Sequence, residues 1–308
     1  MDYCKYDVEN ERTEDKMIFK GAGVAIVTPF NEDKSINFTK LREIIDFQIN
    51  NGTDAIIICG TTGEAASMTD AEHLECIKVA VEQTAGRVPV IAGTGSNDTQ
   101  HGIQLTKQAK ELGVDATLQV TPYYNKTTQK GLIEHFKAIG EATNLPMILY
   151  NVPSRTGLNM TPQTVYELSK LPYVVGIKEA SGNLSQVAQI ARLCGPDFAI
   201  YSGNDDQIIP TLSLGGVGVI SVLSNVAPKQ THDMVELYLQ GQTKEALKLQ
   251  LEYLPVIDAL FCEVNPIPVK AAMNSMGFEV GPCRLPLTTL ESSNEEKVNA
   301  VLKAAKLI

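Results

Sequence analysis

Much that would mark a membrane, nucleic-acid or metal protein is missing from these 308 residues. No apolar run approaches the roughly 18 residues that a membrane span requires. The stretch Met1 to Lys16 mixes Asp2, Asp7, Glu9, Glu11, Glu14 and Asp15 with Lys5, Arg12 and Lys16, and lacks the apolar centre of a signal peptide. Residues 1–17 therefore read as a flexible extension or an added tail, and a cytoplasmic location is the expectation. Positive charge is scarce: 26 Lys and Arg face 36 Asp and Glu, a formal net charge of −10. That balance argues against nucleic acid or an anionic membrane as the main partner and leaves small molecules. The six cysteines, Cys4, Cys59, Cys76, Cys194, Cys262 and Cys283, include no CxxC pair, which favours reduced thiols over a disulfide framework. The four histidines, His73, His101, His135 and His232, show no ligand spacing, so no metal is expected. Gly21-Ala22-Gly23 and Gly93-Thr94-Gly95 do not complete GxGxxG, because Ile26 and Asp98 stand where the last glycine belongs; they read as turn glycines.

What is present is a repeated alternation. Hydrophobic residues make up 44% of the chain, enough for one large core. Short apolar runs rich in β-branched residues recur: 23–27, 55–58, 88–92, 116–120, 147–150, 174–177, 198–201 and 217–220. They have the character of buried parallel strands. Between them lie helical stretches with start signals. Thr69 and Glu72 form a capping-box pattern, with Ile77 and Val81 on one face of the helix that follows. Thr161-Pro162 sets an N-cap before a proline, and Leu132, Phe136 and Ile139 recur at helical spacing. Eight strand–helix units over residues 18–240 predict a TIM (β/α)8 barrel, close to the ~250 residues typical of that fold. Residues 241–308 predict a small helical C-terminal region: a run from Thr243 to Phe261 interrupted at Pro255, a helix from Asn265 to Met276, and a last one capped by Ser293 and Glu296.

In such barrels the working groups sit at the C-terminal ends of the strands. Those positions hold hydroxyls and small residues: Thr28, Gly60-Thr61-Thr62-Gly63-Glu64, Thr94, Tyr123-Tyr124, Tyr150, Ser202-Gly203-Asn204 and Ile220-Ser221. One lysine is among them, Lys178, ending the run Val174 to Ile177. An amine attacks a ketone only when neutral, and burial favours the neutral form. Lys178 is thus the candidate nucleophile; the bland alternative is a strand-end lysine paired with a carboxylate such as Glu179. Lys270 is the rival, assigned a structural role because it lies in the helical region. Tyr150 and Tyr124, at adjacent strand ends, suit proton transfer or simple packing. Thr61 and Thr62 could hold a carboxylate through hydroxyls and backbone N–H groups at a helix entrance, or could form an ordinary turn. Arg155, one of six arginines, could clamp a second carboxylate or lie solvated in a loop.

With these residues in place, the chain from about Phe19 onward resembles the 4-hydroxy-tetrahydrodipicolinate synthase (dihydrodipicolinate synthase) family, of the pyruvate-dependent class I aldolase/N-acetylneuraminate lyase superfamily. The matching segments are Gly60 to Glu64, Thr121 to Asn125, Tyr150 to Gly157, Gly176 to Asn183 and Asn265 to Lys270. The resemblance implies that Lys178 forms a Schiff base with pyruvate, with no cofactor, and that Thr62 holds the pyruvate carboxylate. It implies Tyr150 as proton donor and acceptor, linked through Thr61 to a Tyr124 lent by a neighbouring subunit. Arg155 would meet the carboxylate of aspartate semialdehyde, and Gly203 and Ile220 would offer backbone groups near pyruvate. A homotetramer built as a dimer of dimers is implied too. Of a lysine-inhibitor site, His73, Asn97 and Tyr123 fit the family pattern. His101 and Asp70 do not, standing where sensitive members carry a glutamate and a histidine, so weak or absent inhibition by lysine is expected. Two other readings stand beside the synthase: a sister lyase acting on a sialic or sugar acid, which would want hydroxyl partners rather than Arg155, and a catalytically dead barrel, which would have lost one of Lys178, Tyr150, Thr61 or Thr62.

Overall fold

The structure, a computed structural model, describes residues 17–308; the extension expected over 1–17 lies, but for Met17, outside the described residues. Eight parallel strands close into a barrel in sequential order: β1 Gly21–Ala25, β2 Ala55–Ile58, β3 Val90–Gly93, β4 Ala116–Val120, β5 Met147–Asn151, β6 Val174–Glu179, β7 Ala199–Ser202 and β8 Gly218–Ser221. β1 pairs with β8 to shut the ring. The helices that pack outside it are α1 Phe38–Asn50, α2 Asp70–Thr84, α3 Thr99–Glu111, α4 Gln129–Thr143, the short α5 Pro153–Thr156, α6 Pro162–Ser169, α7 Leu184–Cys194, α8 Ile208–Ser213 and α9 Pro228–Leu239. Three more follow: α10 Thr243–Leu260, α11 Ile267–Ser275 and α12 Ser292–Ala304.

Period-2 alternation divides the strands between two cores. One face of each strand fills the lumen, with Ala55 and Ile57, Ala116 and Leu118, Ile148 and Tyr150, and Ala199 and Tyr201 in a single buried cluster. Phe19 plugs this lumen, stacked on Tyr201 at 4.4 Å between ring centroids and accepting the tyrosine hydroxyl on its carbonyl at 2.7 Å. The outward faces pack on the helices. Ile56, Ile58, Val90 and Ala92 share a core with α1, α2 and the C-terminal helices, while Met147, Leu149, Ile177 and Ile200 meet α4, α6 and α7.

The capping box of α2 is present, Thr69 accepting from the Glu72 amide while Glu72 accepts from Thr69. Thr161 caps α6 as expected. Two helix expectations need correction. Pro255 does not interrupt α10, which runs through it. The proline forfeits one bond on the exposed side, where Leu251 is 57% exposed, while burial of Tyr253, Val256, Ile257 and Leu260 carries the helix on. Ser293 and Glu296 do not cap α12, whose N-cap is Glu291 without a side-chain bond. That start is held instead by Glu263, whose carboxylate accepts from the Glu291 amide at 3.0 Å and the Asn294 side chain at 2.7 Å. Among the described residues no helix is long and apolar enough to cross a membrane, and Cys59, Cys76, Cys262 and Cys283 are free thiols.

Candidate active site

A cavity of about 210 Å³ opens at the C-terminal ends of the strands, walled by Thr61, Thr62, Tyr150, Arg155, Lys178 and Gly203 among others. Lys178 enters it from β6 and is 6% exposed, its Nζ 4.5 Å from the centroid of the Tyr150 ring. The two residues are register partners on neighbouring strands, so both side chains project to the lumen face. Glu179, one residue on, points the opposite way, and its carboxylate accepts from Asn151, Gln186 and the Ser181 amide. The bland pairing of Lys178 with Glu179 is therefore excluded. Lys178 forms no ion pair or hydrogen bond among the described residues, which leaves its amine facing the cavity and the Tyr150 ring.

Thr61 and Thr62 come from the turn after β2. Among the described residues the amides of Thr61, Thr62 and Gly63 have no hydrogen-bond partner, a free set of donors suited to a carboxylate. The turn is not a helix entrance as expected: a 3-10 turn, Ala65–Ser67, separates it from α2. Thr62 Oγ1 accepts from the Asn265 side chain at 3.0 Å. Arg155, at the C-terminal end of α5, stands exposed at the rim and donates to the Asn265 carbonyl at 3.2 Å. Gly203 lines the cavity, but its N–H is committed to the Glu179 carbonyl at 2.8 Å, leaving only its own carbonyl to offer. Ile220 is fully buried in the lumen cluster and is not part of the cavity wall. Tyr124 is not brought to this site by its own chain. It sits past β4 at φ +67°, 93% exposed, and projects away from the surface.

A second cavity, of about 400 Å³, adjoins the first and shares Gly60, Thr61, Tyr150 and Arg155 with it. His73, His101, Asp70 and Tyr123 line it. His73 donates from Nε2 to the Gly93 carbonyl at 2.8 Å, and burial lowers its pKa, which favours the uncharged ring. His101 joins Asp70 at 3.0 Å through Nε2 and Ser96 at 3.1 Å through Nδ1. Asn97 donates to the Tyr123 carbonyl at 3.2 Å. Asp70 thus does reach this cavity, although it lies on α2 and His101 on α3.

Three residues that hold the site were given no role from the sequence: Glu64, read only as part of the Gly60–Glu64 turn, Arg284 and Asp205. Glu64, in a left-handed conformation at φ +56°, forms a buried ion pair with Lys270 at 2.9 Å. Lys270 also donates to the carbonyls of Thr28 and Pro282 and lies over the Phe30 ring, a fully engaged structural cation. Arg284 extends the clamp, donating to Glu64 through its amide and to Ser67 and Glu72 through its guanidinium. Asp205 is the third: its Oδ2 accepts from the amides of Val222 and Leu223 at 3.0 and 2.9 Å, tying the loop after β7 to that after β8. Burial pushes its carboxyl above the usual range. These residues are distant in sequence from their partners, and no local motif announces them. Among the described residues no group of three or more His, Cys, Asp or Glu is arranged to hold a metal.

A closed eight-stranded barrel with a buried lysine at a strand end, flanked by a phenol and by a turn whose amides are unpaired among the described residues, defines a lysine-centred TIM-barrel site. The sequence model of the dihydrodipicolinate synthetase family matches residues 18–305, and the chain belongs to that family. It is 61% identical over 285 residues to a 4-hydroxy-tetrahydrodipicolinate synthase of Caldicellulosiruptor saccharolyticus, covering 92% of this chain and 96% of that one. Among solved structures it is similar to dihydrodipicolinate synthase of Cyanidioschyzon merolae with lysine bound, at 44% identity and a TM-score of 0.93 over 94% of this chain and 99% of that one. It is likewise similar to the chloride-inhibited enzyme of Acinetobacter baumannii complexed with pyruvate, at 42% identity and a TM-score of 0.93 over 95% and 100%.

Proposed function

We propose that this chain condenses pyruvate with L-aspartate 4-semialdehyde to give 4-hydroxy-tetrahydrodipicolinate, the lyase step that opens diaminopimelate and lysine biosynthesis. The observation that carries the reading is Lys178, buried and in no ion pair or hydrogen bond among the described residues, 4.5 Å from the Tyr150 ring in a hydroxyl-lined cavity. Lys178 Nζ attacks C2 of pyruvate, and the carbinolamine loses water to give an imine. The pyruvate carboxylate rests on Thr62 Oγ1 and the free amides of the Thr61–Gly63 turn. Tyr150 carries protons to and from the carbinolamine and, with Thr61, on toward solvent. Loss of a C3 proton gives the enamine, the imine itself serving as electron sink, so no external cofactor is needed. The enamine attacks the aldehyde carbon of the second substrate, whose carboxylate meets Arg155 at the rim. Its amine then attacks C2 and displaces Lys178 as the ring closes. Gly203 borders the pyruvate end through its carbonyl, while Ile220 stays behind the cavity wall in the lumen cluster.

Tyr124 takes its place in this scheme in a homotetramer of paired dimers, entering the site of a second copy. Its near-complete exposure supports that reading, since a phenol held out from the surface is placed to be covered. The barrel over 18–240 forms the catalytic unit, 241–308 braces it, and the enzyme works in the cytoplasm. Lysine acts weakly or not at all through the set His73, Asn97, His101 and Tyr123. Asp70 supplies a carboxylate there, but His101 already holds it, and an ammonium must displace that contact. Half-inhibition by lysine below about 1 mM, where binding reaches roughly 4 kcal/mol, would overturn this point. The main test is turnover of pyruvate with aspartate semialdehyde against N-acetylneuraminate. Activity with the first pair and none with the second is expected; the reverse would favour a sister lyase.

A further inference from the structure

The neighbourhood of Lys178 holds a feature that the reaction as written does not use. β6 is irregular: Met147 pairs with Val174, but Ile148 pairs with Gly176, so Val175 is an extra residue, a bulge. Its effect is on parity. Val175 packs in the lumen cluster and Ile177 in the outer one. Strict alternation from Val175 would have sent Ile177 inward and Lys178 out. With the bulge, two successive positions face the lumen, and Lys178 and Ala180 follow on the inner face. Gly176 permits this, because a Cβ there would meet the Ala199 carbonyl oxygen at 2.5 Å.

A bulge alone leaves the register open to slip. On the outer face, one residue beyond Tyr150 and Lys178, the register partners are Asn151 and Glu179. Both are buried, at 0% and 4% exposure. Asn151 Nδ2 donates to both Glu179 oxygens, at 3.0 and 3.3 Å. Gln186 and the Ser181 amide complete the carboxylate at 3.0 and 2.7 Å. Asn151 Oδ1 accepts from the Met160 amide at 2.9 Å, which fixes which way its amide faces. Glu179 thus has donors only and no cation. A buried carboxylate so arranged tolerates no second donor in its place.

We propose that Glu179, through Asn151, is a positioning residue for the reaction: the clamp behind β5 and β6 holds Tyr150 opposite Lys178 once the bulge has turned the lysine inward. This rests on the reading of Lys178 as nucleophile and Tyr150 as acid–base group. Its consequence is selective. A slackened clamp leaves the amine in the cavity, able to form the imine, but moves the phenol off the proton it transfers.

The test measures the two steps apart. Borohydride trapping of [¹⁴C]pyruvate reports imine formation, and exchange of the pyruvate methyl protons in D₂O reports proton transfer. In Glu179→Gln the introduced amide NH₂ faces existing donors. Trapping should persist, while exchange, scaled to folded protein, should fall roughly 10²-fold, the size of effect that about 1 Å of misplacement produces. Gln186→Ala, which takes one donor from the carboxylate along with the Gln186–Asn159 contact but leaves Asn151 and the Ser181 amide in place, should lose less in the same direction, and it decides the matter if Glu179→Gln does not fold. Trapping and exchange falling by one common factor, or neither falling, would overturn the proposal. A wild-type enzyme that is not trapped would overturn it together with the site reading on which it rests, a result visible before any variant is made.

Discussion

Among the described residues two lysines are buried, and their surroundings are opposite. Lys270 touches Glu64, two carbonyls and the face of Phe30. Lys178 touches the face of Tyr150 and an open cavity. Burial disfavours the charge on Lys270, but Glu64 opposes that shift, and the pair reads as structure. A buried amine outside any ion pair, as Lys178 is among the described residues, contributes nothing comparable to folding. Such a group is retained for chemistry. The lesson is that burial of a lysine does not identify a nucleophile; the absence of an acceptor beside it does.

The sharpest way to break this comparison is to remove each amine in turn. Lys178→Met should abolish turnover, by roughly 10⁴-fold or more, with a melting temperature equal to or above that of the wild type. Lys270→Met should leave Glu64 buried and unpaired at a cost of roughly 3–5 kcal/mol, seen as a large loss in denaturant midpoint. Equal destabilisation by the two would show that the contrast is false. Next in size is Tyr150→Phe, which keeps the ring under Lys178 but removes the phenol. It should lower kcat by about 10²–10⁴-fold with little change in stability; an unchanged kcat would take Tyr150 out of the mechanism.

Arg155→Ala tests the rim of the Lys178 cavity. The KM for aspartate semialdehyde should rise by roughly 10- to 100-fold, as expected for loss of a charge-assisted pair of about 1.5–3 kcal/mol. The KM for pyruvate should move far less. Parallel changes would show that the bond from Arg155 to the Asn265 carbonyl is its main task. The smallest effect concerns the clamp around Lys270. Arg284 holds the Glu72 carboxyl down to about 2, from an ordinary 4.5. A depressed carboxyl contributes stability above its unfolded pKa and loses it as pH falls through the folded one. Between pH 5 and 2 the wild type should therefore lose stability more steeply than Glu72→Gln, in melts followed by circular dichroism. Identical slopes would remove Glu72 from the account.

Much of the fold was legible because buried parallel strands write themselves as short β-branched runs, and β2 and β4 fall where the runs at 55–58 and 116–120 place them. The strand-end residues Thr61, Thr62, Lys178 and Tyr150 were legible for the same reason. What alternation could not tell was which face each residue takes on β6, because one extra residue at Val175 inverts it. Nor could it show that Glu64 and Lys270, the latter already read as structural, pair across 206 positions of chain. Tyr124 was readable as a phenol near a strand end, but its direction depends on a left-handed residue in an exposed loop. Pro255 and the Ser293–Glu296 pattern misled because local propensity yielded to packing and to a carboxylate, Glu263, from another segment.

The contrast between the two lysines is most directly tested by covalent mapping. Incubation with pyruvate followed by borohydride, then peptide mass analysis, should place one reduced pyruvate per chain on Lys178 and none on Lys270. Label on Lys270, or on neither lysine, would contradict the account.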